Sequence, residues 1–307
     1  MVKRSCRFQT PLSVTVGRVL SLLLGVLLLL RLVTSLNFAK PDENHLYVYV
    51  LDVGQSDAIL LRCGEETMLI DAATATEEQA LRAELSRYGI KHLDYLVLTH
   101  PHEDHVGNAR WVMENLAVET VLLPAARSDD YMYDLICDAA TKNALVKTAE
   151  SGQTFLLGAA KVDVLIASGC GDSNAATDED ANNASTVLRV QFGEQVLLFM
   201  GDAEAEAELS LLSAYGAQYL DCDFLKIGHH GSATSTTELL LAVTTPTVAA
   251  ISCGRQNTYG FPHEEVLENL AAFQAHVYRT DQSGTLVFGT DGKELRLIPS
   301  TTKGLSL

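Results

Sequence analysis

The stretch THPHEDHVG (residues 99–107) gathers His100, His102, Asp104 and His105 between positions 100 and 105 of a chain that has nine histidines in all. Imidazoles and carboxylates at this density suit a pair of divalent metal ions. In a locally extended turn His100 and His102 point to the same side and share one cation. Asp104 and His105 open a following helix and face a point further along. Solvated loop histidines or a His–Asp cap account for a lone histidine, but not for four ligand-type residues in the pattern HxHxDH.

Other apolar runs end the same way. MLIDA stops at Asp71, a carboxylate that can orient a ligand histidine through its second ring nitrogen. LLFMGDAE stops at Asp202, suited to bridge two metals, and LKIGHHGS stops at His229 and His230. Singly, each reads equally well as a polar strand end, a helix cap or an exposed turn; their shared placement beside HxHxDH is what raises them. Lys226, just before the paired histidines, is a candidate for a substrate phosphate or for a structural role. DAEAEAEL reads as a solvated helix face, and His45, His92 and His276 as surface or strand-edge groups.

The elements that must position these residues are legible from periodicity. LDYLVLT predicts a buried strand that ends at Thr99 and so delivers the cluster to a sheet rim, where active sites collect. HLYVYVLDV, DAILLRC and TMLIDA are strand-like before it. TATEEQALRAELSRYG reads as a helix stopped by Gly89, and HVGNARWVMENL is helical. Residues 125–150 predict loop plus helix, and TFLLGAAKVDVLIAS a hairpin. GCGDSNAATDEDANNAS reads as a long loop. The second half repeats the order with strands STVLRVQF, QVLLFMGD, DFLKIG and TVAAISC, separated by helices, then a helix near 262–273 and three closing strands. Two such halves predict two sheets packed face to face with helices outside.

Composition sets the surroundings. Among 307 residues the balance is 22 basic against 39 acidic. Residues 1–36 hold Lys3, Arg4, Arg7, Arg18 and Arg31 and no acid, which leaves 17 basic against 39 acidic residues, about −22, on the remainder. Such a body repels polyanions at long range, so phosphate chemistry needs a local positive charge of the kind a metal supplies. The basic MVKRSCR precedes the apolar run Val19–Leu30, extended to Leu36. Residues 1–40 therefore read as an N-terminal transmembrane helix with its flank, Arg18 and Arg31 snorkelling; the alternative is a signal cleaved near Val33-Thr34-Ser35. Either reading puts the remaining domain, residues 41–307, outside the cytoplasm, anchored or secreted. The six cysteines include no CxxC, which argues against a thiolate zinc site and favours buried free thiols.

HPHEDH, LFMGDAE and GHHGS together resemble the metallo-β-lactamase fold. LDVGQSDAILL, NNASTVLRV, LKIGHHGS and NTYGFPH narrow the resemblance to the extracytoplasmic hydrolase domain of the ComEC competence DNA-uptake family, over roughly residues 46–298. The resemblance implies an α+β, four-layer αββα sandwich with a dinuclear site at one rim. His100, His102, Asp104, His105 and Asp202 are its ligands, with His229 or His230 beside them; Asp71, Asp52, Asn183, Ser185 and Lys226 are supporting candidates. Many hydrolases of this fold take a third imidazole from the interval between His105 and His229, which here has no histidine. Asn182, Asn183, Ser185, an acid or water must serve there, and oxygen donors tilt preference from zinc toward manganese or magnesium, which leaves zinc and manganese as the two candidate ions. Ser56 replaces a glycine of the family turn DVGQGDA, and Phe261 stands where the family has the first histidine of HPH.

The reaction implied is metal-dependent phosphodiester hydrolysis outside the cell membrane. Asp104 sits in the catalytic cluster, and His230 or His263 is the proton donor to the leaving group. DNA is one candidate substrate and the DNA-uptake machinery a candidate partner. Hydrolysis of carboxyl esters or lactones and a metal-binding accessory role are the competing readings.

Overall fold

The computed structural model describes residues 44–127, 131–167 and 178–299. The N-terminal segment read as an anchor or signal lies outside the described residues, as do residues 168–177 of the polar stretch. Among the described residues no helix is long and apolar enough to cross a membrane.

The chain first lays down β1 (Leu46–Val50), β2 (Ile59–Cys63), β3 (Glu66–Ile70), β4 (His92–Val97), β5 (Ala117–Leu123) and β6 (Leu145–Thr148). It then builds a second sheet from β7 (Thr154–Leu157), β8 (Ala160–Ile166), β9 (Val187–Phe192), β10 (Gln195–Phe199), β11 (Phe224–Lys226), β12 (Val248–Ile251) and β13 (His276–Arg279). Finally β14 (Leu286–Thr290) and β15 (Leu295–Leu297) return to the first sheet. The strand orders are β15-β14-β1-β2-β3-β4-β5-β6 and β13-β12-β11-β10-β9-β8-β7.

Strand periodicity divides the side chains between two cores. In β1, Leu46, Val48 and Val50 enter the layer between the sheets, where they meet Val162, Val190, Leu197 and Phe224 of the second sheet. Tyr49 and the following Leu51 face the other way, toward Leu81 and Leu85 of helix Glu78–Arg87 and Val112 of helix Ala109–Asn115. On the second sheet Leu198, Leu225 and Ala249 face outward to Leu211, Leu240 and Leu270 of three further helices. The layers thus run helix, sheet, sheet, helix. Strands buried on both faces read as continuous apolar runs, which is why MLI and VLLF carry no alternation.

The α+β expectation needs one correction. Each sheet is antiparallel on one side and parallel on the other: β3-β4-β5-β6 and β10-β11-β12-β13 are parallel, joined by crossover helices. The α/β halves follow from the strand-helix-strand alternation, since parallel neighbours need a crossover. Parallel strands share a carboxyl end, and Asp71, Thr99–His100, Asp202 and the His229–His230 pair all follow such ends. The polar run 178–183, read as loop, is a short helix. Cys63, Cys222 and Cys253 are buried free thiols and Cys137 is a free, half-buried one.

Candidate metal centre

Asp71 follows β3 with its backbone in the left-handed region, at φ 61°, and is fully buried. One carboxylate oxygen accepts the Thr99 N–H at 2.8 Å. The other accepts the Thr99 hydroxyl and lies 2.8 Å from His105 Nδ1. This fixes a proton on Nδ1 and turns the Nε2 lone pair of His105 inward. Nε2 then sits 3.2 Å from Asp202 Oδ1 and 3.9 Å from Asp104 Oδ2. His230 is held in the same manner. Its Nδ1 donates to the Ser252 carbonyl at 3.1 Å, and its Nε2 lies 3.3 Å from Asp104 Oδ2 and 3.8 Å from Asp202 Oδ2.

The ligand atoms of Asp104, His105, Asp202 and His230 all fall within 4.8 Å of one another. His105 Nε2, His230 Nε2 and Asp202 Oδ1 are buried with no hydrogen-bond partner. Orphaned polar atoms at one buried point are costly unless something binds them. Imidazole nitrogens and carboxylate oxygens are the donors a divalent metal takes. The residues present fit such an ion.

A second convergence lies beside the first. His100 Nδ1 is 3.1 Å from Thr99 Oγ1 and 3.3 Å from Ser185 Oγ. His100 Nε2 lies 3.1 Å from His102 Nδ1 and 3.9 Å from Asp202 Oδ2. Asp202 therefore stands between the two groups of histidines, its amide held at 3.0 Å by Ser185 Oγ. Ser185 thus touches both His100 and the Asp202 backbone. Asn183 Oδ1 instead accepts the Glu204 and Ala207 amides at the start of helix Ala205–Ala214, satisfying donors a helix leaves free.

Electrostatics at this cluster are coupled. Burial opposes charge on His105, yet Asp202, Asp71 and Asp104 outweigh it and raise its pKa well above the ordinary value. His230 is raised against burial by Asp202 and Asp104. His100 goes the other way: burial, then the neighbouring His105, hold it well below the usual range. For Asp202 burial is outweighed by His105 and His230, which lower it well below the carboxylate range.

The paired histidines diverge. Both have left-handed backbones, at φ 45° for His229 and 53° for His230. The His230 side chain is 1% exposed and that of His229 22%. His229 Nδ1 lies 3.0 Å from Glu204 Oε1 and 3.2 Å from Thr234 Oγ1. Its Nε2 is 3.8 Å from Asp202 Oδ2. His263 sits at the start of helix Glu264–Ala272, where its Nδ1 accepts the Ala233 N–H at 2.9 Å. That bond leaves the proton on Nε2.

Several features refine the sequence reading or lie beyond it. Of its two readings Lys226 takes the structural one: it is fully buried, 2.8 Å from Asp57 Oδ2, with no surface from which to reach a substrate. Asp57 was not singled out, yet its N–H donates to the Asp104 carbonyl and its carbonyl accepts from Ala73. Asp52, from the same LDVGQSDA motif, donates its N–H to Thr285 Oγ1 and answers electrostatically to Arg255 and Asp281, a different set of groups. DAEAEAEL is only partly a solvated face: Glu204 and Glu208 are buried, and Glu208 accepts the Thr237 amide and hydroxyl. Acids four residues apart share one helix face, and that spacing was the available signal. Ser56 fits its turn because the left-handed position is Gly54 (φ 69°), while Ser56 Oγ donates to the Val53 carbonyl at 3.1 Å.

Comparison with known proteins bears on the fold. The Metallo-beta-lactamase superfamily profile matches residues 51–255. ComE operon protein 3 of Bacillus subtilis is 28% identical over 78% of this chain and 32% of its own length. Recombination protein 2 of Haemophilus influenzae is 31% identical, over 82% of this chain and 30% of its own. Competence protein ComA of Neisseria gonorrhoeae is 32% identical, over 86% and 35% respectively. The chain spans about a third of the length of these relatives. Among solved structures, CmlA, a diiron beta-hydroxylase from Streptomyces venezuelae, superposes with a TM-score of 0.50 at 14% identity, over 76% of this chain and 52% of CmlA; at that identity the likeness concerns the fold alone.

Proposed function

The chain belongs to the Metallo-beta-lactamase superfamily, and from that premise we propose that it is a phosphodiesterase carrying two divalent ions, zinc or manganese, and acting on a nucleic-acid strand outside the cytoplasmic membrane. The observation that carries this reading is the meeting of His105 Nε2, His230 Nε2 and Asp202 Oδ1, buried and without a hydrogen bond, with Asp104. One ion would be held by Asp104, His105 and His230 and the other by His100 and His102, with Asp202 within reach of both groups. His229, turned toward Glu204, flanks the pair. Similarity to competence proteins supports DNA as substrate and the uptake machinery as partner, and the basic and apolar segment 1–40 supports an anchored or exported chain.

Divalent ions held by these residues supply Lewis acidity, lowering the pKa of water and offsetting charge on the phosphoryl oxygens. The chain's own residues do the positioning. Asp71 and the Ser252 carbonyl hold His105 and His230 in the tautomer that presents Nε2; Thr99 and Ser185 hold His100. His230 is too enclosed to protonate a leaving group. His263, at the rim with its proton on Nε2, is assigned that role.

Hydrolysis of bis-(p-nitrophenyl) phosphate with added manganese or zinc tests the proposal. Turnover lost on chelation and on His102→Ala is the result expected. Turnover of carboxyl esters or lactones alone would move the assignment to acyl hydrolysis, and no turnover of either class would leave an accessory role.

A further inference from the structure

The loop Gly254–His263 is braced at both ends and carries an exposed tyrosine, Tyr259, on a half-buried Phe261. Asn257 clasps Phe261, its Oδ1 accepting the Phe261 N–H at 2.9 Å and its Nδ2 donating to the Phe261 carbonyl at 2.7 Å. Nδ2 also donates to the Gly254 carbonyl, and the Gly254 N–H donates to Gln55 Oε1. Gly260 takes the left-handed turn at φ 77°. On the far side a Cβ at Gly231 would come within 2.5 Å of Pro262 Cβ, so this loop lies directly against the GHHGS segment.

On that support Tyr259 is 66% exposed. Its ring stacks on Phe261 at 5.4 Å and 19°, and Phe261 stands edge-on to His229 at 5.4 Å and to His263 at 5.0 Å. A run of rings therefore leads from solvent to the histidines around Asp202. The exposed Tyr259 ring adds little to the core, and its place on Phe261 beside His229 and His263 makes its amphipathic face available to a ligand.

We propose that Tyr259, backed by Phe261, is the stacking surface for an unpaired nucleobase of a single-stranded substrate, next to the phosphodiester that is cleaved. This rests on the phosphodiesterase reading above. The charge balance of 22 basic against 39 acidic residues leaves little affinity to phosphate contacts. Stacking is indifferent to charge and to sequence, and contributes about 5- to 150-fold in affinity per base. It requires a base free of its partner, which selects single strands over duplex.

The test uses the full manganese-loaded chain with two strands of equal length, an oligothymidylate and one abasic throughout. Binding is followed by fluorescence anisotropy and cleavage separately. Wild-type protein is expected to prefer the base-bearing strand by about tenfold in KM and in binding. Tyr259→Ala is expected to lose the preference and Tyr259→Phe, which keeps the ring, to retain it. Equal preference in wild type and Tyr259→Ala, no preference in wild type, or no binding of either strand overturns the inference. A Tyr259-dependent preference in binding without cleavage would uphold the stacking surface and sink the activity; cleavage of both strands alike would do the reverse.

Discussion

On the proposed metal assignment, a proton and a divalent cation compete for the same lone pair on His105 Nε2, and again on His230 Nε2. In the metal-free protein the surrounding carboxylates raise both pKa values against the cost of burial. A raised folded pKa means that protonation stabilises the fold fully below the unfolded value, about 6.5, and that this stabilisation is lost as pH rises through the folded value. Metal binding has the opposite slope, because it needs both imidazoles neutral. The gap in Tm between metal-loaded and metal-free protein is therefore expected to widen from about pH 6 to about pH 8, as measured by calorimetry with zinc or manganese. A gap that is flat or narrows with pH would mean that these two nitrogens do not bind the ion.

Each contributing element is an apolar strand that runs out into ligand-type residues, and this is why so much of the centre was legible: MLID, LVLTH, LFMGD and LKIGHH each mark a carboxyl end. What the sequence could not display is how those ends are tied together. Asp57 and Lys226 are separated by 169 positions, and no local pattern links them. Their ion pair joins the connection between β1 and β2 in one sheet to the end of β11 in the other, immediately before His229. Burial would raise the Asp57 pKa, but Lys226 and then His230 lower it, so the carboxylate stays charged. Lys226→Met strands that charge in a fully buried site and is expected to cost about 3–5 kcal/mol in urea unfolding. The double variant Lys226→Met/Asp57→Asn removes both charges and is expected to cost less than the single one. A single variant as stable as wild type would show the pair to be dispensable. Which of His229 and His230 is buried was equally hidden, since two adjacent histidines differ only through the left-handed turn that buries one and leaves the other beside Glu204.

At the scale of the whole molecule, and on the proposed nuclease reading, the charge balance sets how a strand would approach. Proteins that hold nucleic acid through Lys and Arg release counterions on binding, so their affinity falls steeply as salt rises. Here the chain carries a net charge of −17, and Lys226, the cation nearest the paired histidines in sequence, is buried against Asp57. Long-range repulsion between an acidic body and a polyanion is what salt screens, over a Debye length of about 10 Å at 0.1 M. Local attraction at the metal centre weakens with salt, but it concerns a phosphate or two, whereas repulsion grows with every phosphate in the strand. The logarithm of kcat/KM for a long single strand is therefore expected to be flat or rising against the logarithm of salt between about 50 and 300 mM, and more so for longer strands. A short diester such as bis-(p-nitrophenyl) phosphate is expected to respond little. A steep fall with salt, of the size that several phosphate contacts produce, would mean that a basic track guides the strand and that the acidity of the body does not govern its approach.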